Sequence, residues 1–525
     1  MTLGTLTVNV GEATGFAGAN TARASACVVV GNCSNLLGAS AFFPSGAAAQ
    51  ASAGYGDAID VGCQAIEQIV NGNYTNAKIP VAFYGTTGTV GGFGTLNTGN
   101  MSGTAKASVS FTGTAAATGV AQGPWGTYQI RVTAIGNQTL GTGNTGGYQY
   151  SADGGNTWSN TVNVGTGVTL TIPTTGVVAT LGASGQTWAS GDYASITTTP
   201  PTPTTSDLTA AFAAIAQSST PIGVVAVEMN MQWATTNIAQ YLVSGLNALK
   251  SAGKRVLVLA RFRSQNSGET DAQYVQNFTN EFSGAAPLNE SRIVIVGDYG
   301  TLTDAMTNRM YTRTDFAQFL ADTLRVPIST YPGSPSDVGA GGISNLQLVN
   351  SSGVLVGHDE GPLGSATGIS TSGVRGVSLQ RVAGASQPNA VYRTFPWTMF
   401  APTDLIQSLM ARRIANEMEM ETLAVAIPAL GRKLSYIPAN PTTGASAQLT
   451  PQSINSLHAT IYGHLAPIFA PHIQNAFNAD LDTGLVQVSP LVTVSNGQIV
   501  SASTTLAPLM FGYLCSWTIT LAAVQ

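Results

Sequence analysis

Four histidines, His358, His458, His464 and His472, are the first candidates for acid–base or metal chemistry in this chain. None forms an HExxH pattern or stands four residues from another, the spacing that puts two ring nitrogens on one helical face for zinc. His358-Asp359-Glu360 sets an imidazole beside two carboxylates, a combination able to move protons. It lies in a glycine-rich stretch and reads as a solvated turn. There is no G-x-S-x-G nucleophile turn, no Walker A loop and no G-x-G-x-x-G opening a helix. Glu417, Glu419 and Glu421 follow Arg412 and Arg413 on a helical stretch. They read as a solvated face with a local Arg413–Glu417 pair. The alternative is a charge contact with another molecule. No cofactor or metal site is expected.

One segment is motif-like: Ser151-Ala152-Asp153-Gly154-Gly155-Asn156-Thr157-Trp158. It fits the S-x-D-x-G-x-T-W Asp-box found in sialidase-like propellers. Its physics is that of a hairpin clamp. Asp153 accepts from turn amides, Gly155 and its neighbour take positive φ, and Trp158 packs beneath. Propellers carry several copies and this chain has one. The arginine cluster of the enzymes cannot be assembled nearby, because Arg131 is the only arginine between residues 88 and 200. Ser151, Asp153, Gly155 and Trp158 are therefore expected to be structural. A glycan-binding or glycan-cleaving tail protein built on this segment is the competing reading. A surface-layer or adhesin protein is a third.

Composition narrows the field. Only 9% of the 525 residues are charged while 44% are hydrophobic, and the net charge is −5. Disorder requires the opposite balance, and nucleic-acid binding requires a basic patch. Low surface charge favours association. Cys27, Cys33, Cys63 and Cys515 lack CxxC spacing and read as small buried hydrophobes; a Cys27–Cys33 disulfide would need an oxidising compartment. Residues 1–11 have no basic start followed by an apolar run, so no signal peptide is expected. No apolar run approaches the ~20 residues of a membrane span. Synthesis and assembly in the cytoplasm are expected.

The elements that must position these residues alternate in type. Residues 12–25 read as a flexible arm, and Ala26–Val30 as a buried strand. Ile59, Cys63, Ile66 and Val70 lie on one helical face, and 78–84 is a strand. Residues 88–200 lose helical periodicity and show alternating runs at Tyr128–Val132, Tyr148–Ser151 and Val168–Ile172. The stiff Thr197–Thr205 segment closes this insertion. Ser206 or Asp207 then caps a helix bearing Leu208, Phe212 and Ile215. Apolar strands at Gly223–Val227, Arg255–Ala260 and Arg292–Gly297 alternate with helices, which predicts a parallel sheet. Residues 330–395 are irregular. Long helices are expected over 403–426 and 453–477, then strands at 485–488, 491–494 and 513–521.

The fold class predicted is multidomain α/β and β. A parallel-sheet α/β domain is interrupted by a β-rich insertion and followed by an α+β C-terminal domain with strand-forming terminal arms. The expected divisions are 1–25, 26–87, 88–205, 206–395 and 396–525. Both termini alternate with period two: Leu6, Val8 and Val10 at one end, and Tyr513, Cys515, Trp517, Ile519 and Leu521 at the other. Such strands add to an open sheet edge, in the same subunit or a neighbour.

This order of pieces resembles the contractile tail sheath proteins of bacteriophages, in particular those with a β-rich insertion after the first α/β unit. The resemblance is carried by Gly56-Asp57-Ala58, Ile79-Pro80-Val81, the segment Gly147–Gly155, Gly191-Asp192-Tyr193 and Ser206-Asp207-Leu208. The 330–395 region does not align. The resemblance implies a structural virion protein without catalytic activity. Its subunits would stack as six-fold rings around a tail tube, with baseplate and tail terminator proteins as further partners and no direct membrane insertion. It also implies that the terminal strands join neighbouring subunits.

Overall fold

The computed structural model describes residues 5–10, 26–35, 40–71, 81–86, 88–113, 123–143, 146–201, 203–220, 222–229, 238–266, 268–283, 290–304, 308–325, 328, 332, 347–348, 363, 375–381, 391–393, 398–399, 408–430, 435–469, 486–495, 498–506, 509–510, 513–514 and 516–522. The expected arm at 12–25, the His358-Asp359-Glu360 triplet and Cys515 lie outside them. The chain is a mixed α/β protein with one largely parallel sheet and several antiparallel ones.

The chain opens with β1 (Thr5–Val10) and then β2 (Cys27–Asn32), β3 (Ser40–Phe43), α1 (Gly46–Ala53), α2 (Asp57–Asn71) and β4 (Val81–Thr86). The face read from the sequence is the buried face of α2: Ile59, Cys63 and Ile66 are all in the core. Cys27, Cys33 and Cys63 are free thiols in that core, and burial pushes all three well above the usual thiol range.

Between β4 and the next helix the chain builds antiparallel sheets. Strands β5 (Gln129–Ile135), β6 (Gly147–Ser151) and β7 (Tyr193–Thr199) form one with Gly92–Phe93, and β5 lies between β7 and β6. Ser110–Gly113, Val177–Thr180 and Thr169–Ile172 form another. Alternation supplies their shared core: Ile130, Val132 and Ala134 of β5 are buried, while the residues between them are at least partly exposed. Tyr148 meets Trp188 edge-on at 5.4 Å in that core.

Helix α3 (Thr205–Gln217) returns the chain to the parallel sheet. Its cap is Thr204, not Ser206 or Asp207. Thr204 Oγ1 accepts from the Asp207 amide at 3.2 Å, and Asp207 Oδ2 accepts from the Thr204 amide at 2.7 Å. That reciprocal pair is a capping box, which places Asp207 three residues inside the helix. Then follow β8 (Val224–Glu228), α4 (Ile238–Ser251), β9 (Leu257–Arg261), α5 (Asp271–Ser283), β10 (Ile293–Val296), the hairpin β11 (Gly300–Thr303) and β12 (Met310–Arg313), and α6 (Phe316–Arg325).

The six-stranded sheet runs β10-β9-β8-β2-β4-β3, all parallel except the edge strand β3. Its strands are apolar on both faces because both faces are covered. Val28, Val30, Val225, Val227 and Val258 pack against α3, α4 and α5. Val29, Phe83, Ala226 and Leu259 pack against α2 and α6. The winding direction reverses between β2 and β8, so the crevice at the carboxyl ends of those two strands is the switch point of the sheet.

The C-terminal part holds α7 (Leu409–Leu430), α8 (Pro451–Phe469), β13 (Val486–Ser495), β14 (Gln498–Leu506) and β15 (Ser516–Ala522). The two strands expected at 485–488 and 491–494 are one strand, β13, broken in register between Val488 and Val492. A bulge lets a strand bend without ending, and Pro490 marks the place. Strand β14 was not expected from the sequence. Among the described residues, no helix is long and apolar enough to cross a membrane.

Candidate functional site

The two chain ends meet in one sheet, ordered β1-β15-β14-β13 and continued by Gln448–Leu449 and Tyr436–Ile437. Strand β1 runs parallel to β15, with Leu6 opposite Trp517, Val8 opposite Ile519 and Val10 opposite Leu521. A parallel pair cannot be closed by a tight turn. Here the connection is nearly the whole chain, so β1 is placed by a main-chain ladder and not by a local hairpin. It occupies the edge of the sheet, where strand addition operates.

One expectation fails here. The alternation from Tyr513 to Leu521 is not a single strand. Tyr513–Leu514 pairs with Leu509–Met510 in a separate two-stranded sheet, and β15 begins at Ser516. Tyr513 is the register partner of Met510. Only Phe511 and Gly512 separate them, a glycine-containing hairpin spacing that alternation does not reveal.

The charged helix face is also different from its reading. Arg412 and Glu419 on α7 are buried, with side chains 2% and 7% exposed. Arg412 Nη2 donates to Glu419 Oε2 at 3.3 Å and Nε donates to Asn416 Oδ1 at 2.8 Å. Glu419 Oε1 also lies 3.4 Å from Arg255 Nε, just before β9. These groups join the C-terminal helix to the parallel-sheet region of the same chain, so they are neither solvated nor offered to another molecule. Helical geometry gives the reason. Residues two apart on a helix point to opposite sides, whereas residues seven apart share one. Glu419 therefore sits with Arg412, away from Glu417 and Glu421. Glu421 Oε2 lies 2.7 Å from His464 Nε2 of α8, within hydrogen-bond distance. Burial lowers Arg413 to about 10, against the pull of Glu417.

The Asp153 clamp forms as its residues suggest and does one thing more. Ser151 Oγ donates to Asp153 Oδ1 at 2.6 Å and accepts from the Gly155 amide at 2.8 Å. Thr157 donates its amide to Oδ1 at 2.9 Å and its hydroxyl to Oδ2 at 2.7 Å. Gly154 and Gly155 have φ of 75° and 99°, open to glycine at little cost. The addition is Met310 of β12, whose amide donates to Asp153 Oδ2 at 3.1 Å. Burial pushes the Asp153 carboxyl up, but the bonds from Ser151, Thr157 and Met310 outweigh it and hold it below the usual range. Trp158 packs against the turn, its Cζ2 3.4 Å from where a Cβ on Gly155 would stand, but stays partly open to solvent. It is 38% exposed, with the Arg131 guanidinium 5.7 Å from its ring centroid. Arg131 stacks more closely on Tyr193, at 3.6 Å.

With this geometry in place the comparisons with known proteins can be given. No family model matches the sequence, and no curated protein does. Among solved structures, the chain is similar to a sheath tail protein from Listeria innocua. The identity is 11%, the TM-score 0.46, and the likeness covers 95% of each chain. It is also similar to a chain of the anti-feeding prophage baseplate, at 10% identity and TM-score 0.32, over 64% of this chain and 74% of that one.

A second polar assembly lies at the switch point. Glu228 ends β8, Arg261 ends β9 and Asp57 opens α2. Glu228 Oε1 and Arg261 Nε are 2.6 Å apart. Arg313 Nη2 reaches Asp304 Oδ2 at 3.2 Å and Gln64 Oε1 at 2.5 Å. Tyr311 donates its hydroxyl to Asp60 Oδ2 at 3.3 Å. A cleft of about 1260 Å³ opens beside these groups, with the inserted segment as its other wall. Sequence reasoning missed this assembly because its members come from five separate stretches. The available signal was that two consecutive apolar strands each end in a charged residue, Glu228 and Arg261, where a doubly wound sheet gathers its polar groups.

Proposed function

We propose that this chain is the structural subunit of a phage contractile tail sheath. It would polymerise helically around a tail tube and contract to drive that tube through the host envelope. The observation that carries the proposal is the terminal sheet. A six-residue strand, β1, is held at a sheet edge by a parallel ladder to β15. The same ladder forms equally well with β1 of a second copy, because main-chain bonds do not distinguish copies. Exchange of an identical element between neighbours is a low-cost route to assembly, and a contact that does not close on itself generates a helical filament.

In this proposal Leu6, Val8, Val10, Trp517, Ile519 and Leu521 are inter-subunit strand residues. The partners are further copies in stacked six-fold rings, the tail tube, and baseplate and terminator proteins. Assembly takes place in the host cytoplasm. The divisions 1–25, 26–87, 88–205, 206–395 and 396–525 are proposed as the arm, the two parts of the α/β domain around its insertion, and the C-terminal domain. Nothing in the Asp153 segment favours glycan cleavage. Both oxygens of Asp153 accept hydrogen bonds from its own chain, which leaves the carboxylate committed to structure.

Electron microscopy of the purified full chain tests this reading. Rings or tubes are expected, and deletion of residues 1–12 should leave a folded subunit that no longer forms them. Tubes of normal length from the deleted protein would remove β1 as the link. A monodisperse monomer that turns over a glycan would replace the proposal altogether.

A further inference from the structure

The inserted segment meets the parallel-sheet region across a seam that is hollow and charged. Two features hold it. The first is a clamp at the crossing point. Asn32, at the end of β2, is 1% exposed. Its Nδ2 donates to the Pro201 carbonyl at 2.6 Å, and its Oδ1 accepts from Thr86 Oγ1 at 3.1 Å. One side chain thus ties the strand from which the chain departs to the stretch on which it returns.

The second feature is the cluster at the switch point. From α2 it receives Asp57, Asp60 and the neutral thiol of Cys63; from β8, Glu228; and from β9, Arg261. Arg263, just beyond, is taken up by Glu269 at 2.6 Å. The β11–β12 hairpin gives Asp304, Arg309, Tyr311 and Arg313, and the inserted segment gives Tyr128 and Asp153. Several of these contacts cross the seam. Arg309 Nη2 donates to Thr174 Oγ1 at 2.7 Å, and its guanidinium lies 5.4 Å from the Tyr128 ring centroid. The Thr127 amide donates to Asp57. Tyr311 packs into the core of the inserted segment while bonding Asp60.

The charges in the cluster do not balance. Among the described residues Asp57, Asp60, Glu228 and Asp304 face Arg261, Arg309 and Arg313, and Asp153 adds a fifth carboxylate, which leaves the cluster two guanidiniums short of neutrality. Asp153 stays ionised on its own donors. Among the described residues Glu228 Oε2 finds no hydrogen-bond partner, and a buried oxygen left without a donor disfavours the ionised form. A cleft of about 1260 Å³ opens beside the cluster and interrupts the seam, whose dry contacts include Tyr311 in the inserted core and Tyr55 edge-on to Trp125 at 6.3 Å; interfaces within one chain permit domain motion unless they are large and apolar.

We propose that the seam is a proton-operated latch: the inserted segment docks firmly while the Asp57–Asp60–Glu228 cluster holds protons, and loosens about the Asn32 clamp when the cluster releases them. The sign follows from linkage. Burial pushes Asp60 up to about 6 and Glu228 up to about 7, against the pull of Arg309 on the first and Arg261 on the second. Burial raises Asp57 as well. Opening the seam to water returns these groups toward ordinary carboxylate values. The docked form therefore holds protons that the open form has lost; docking is strongest at or below the ordinary carboxylate range, weakens as pH rises from there, and has lost the whole contribution above about 7. Each unit by which one such pKa differs between the two forms is worth about tenfold in the docking equilibrium. The latch does not depend on polymerisation, so it stands or falls separately from the sheath proposal.

The test is electron–electron distance measurement on the full chain. Nitroxide labels are placed at two exposed positions, Thr142→Cys in the inserted segment and Lys250→Cys on α4. A single narrow separation is expected at pH 5.5, and a broader or longer distribution above pH 8. The double variant Asp60→Asn with Glu228→Gln mimics the protonated cluster and should stay narrow throughout. Either single variant should flatten the titration in part, which keeps the comparison available if the double variant does not fold. A wild-type distribution that is the same at pH 5.5 and 8.5 overturns the proposal. So does a double variant that broadens as the wild type does.

Discussion

Asp153→Ala removes the acceptor of four hydrogen bonds at once: those from Ser151 Oγ, the Thr157 amide, the Thr157 hydroxyl and the Met310 amide. The two hydroxyls can turn to water, but the two amides are fixed by the backbone. Leaving a buried donor unsatisfied costs about 1–3 kcal/mol; both amides are only partly buried, which puts each at the low end, so the loss should be about 2–3 kcal/mol, and it should be shared. Thr157 belongs to the hairpin, while Met310 belongs to β12 on the other side of the seam. A purely local clamp would leave Met310 unaffected. Amide hydrogen exchange on the full chain separates the two, which a single unfolding curve of a multidomain protein cannot. Protection at both amides should fall on the order of a hundredfold, while amides inside the parallel sheet, such as Val225, keep theirs. The effect should also be pH-dependent. The Asp153 carboxyl is held below its usual range, so its contribution is present above the ordinary carboxylate range and fades as pH falls through it. Wild type and variant should converge in acid. If Met310 keeps its protection in the variant while Thr157 loses it, the cross-seam role of Asp153 is wrong.

Three further outcomes are expected. Arg393 is 1% exposed and serves both Asp315 and Asp322 at 2.7 Å, so Arg393→Met should cost about 3–5 kcal/mol by stranding two buried carboxylates. Burial holds Asp315 up at about 7 even against the pull of Arg393, and without Arg393 the loss should be larger at pH 8 than at pH 6; denaturation at the two pH values checks the order. Gly31→Ala would drive a Cβ into the Glu228 main-chain oxygen between β2 and β8, and soluble folded protein should be lost, as circular dichroism of the expressed variant would reveal. Trp517→Asp places a charge opposite Leu6 in the terminal ladder and should abolish assembly in electron microscopy while the parallel sheet survives; tubes of normal yield would count against the terminal sheet as the link.

Much of the architecture is local and was therefore legible. Runs such as Val224–Val227 and Leu257–Ala260 are apolar without interruption because a parallel strand is covered on both faces, and their helical spacers follow from loop geometry. The alternation of β5 and the glycines of the Asp153 turn likewise depend only on neighbours in sequence. Chemistry that depends on distance was not legible. Arg412 and Glu419 looked like surface charge because sequence records their spacing along the helix and not Arg255, which meets Glu419 from just before β9, more than 150 residues earlier. The strand assigned to 513–521 failed because period two does not record partners: Tyr513–Leu514 pairs with Leu509–Met510, while Ser516–Ala522 pairs with β1 and β14. The Asp57–Glu228–Arg261–Arg313 cluster has no motif, since its members meet only when the sheet reverses its winding and the β11–β12 hairpin folds over the reversal. Side-chain pattern along the chain determined which segments become strands and helices. Tertiary contact alone decided which charges are buried together, because desolvation and pairing depend on what lies across space.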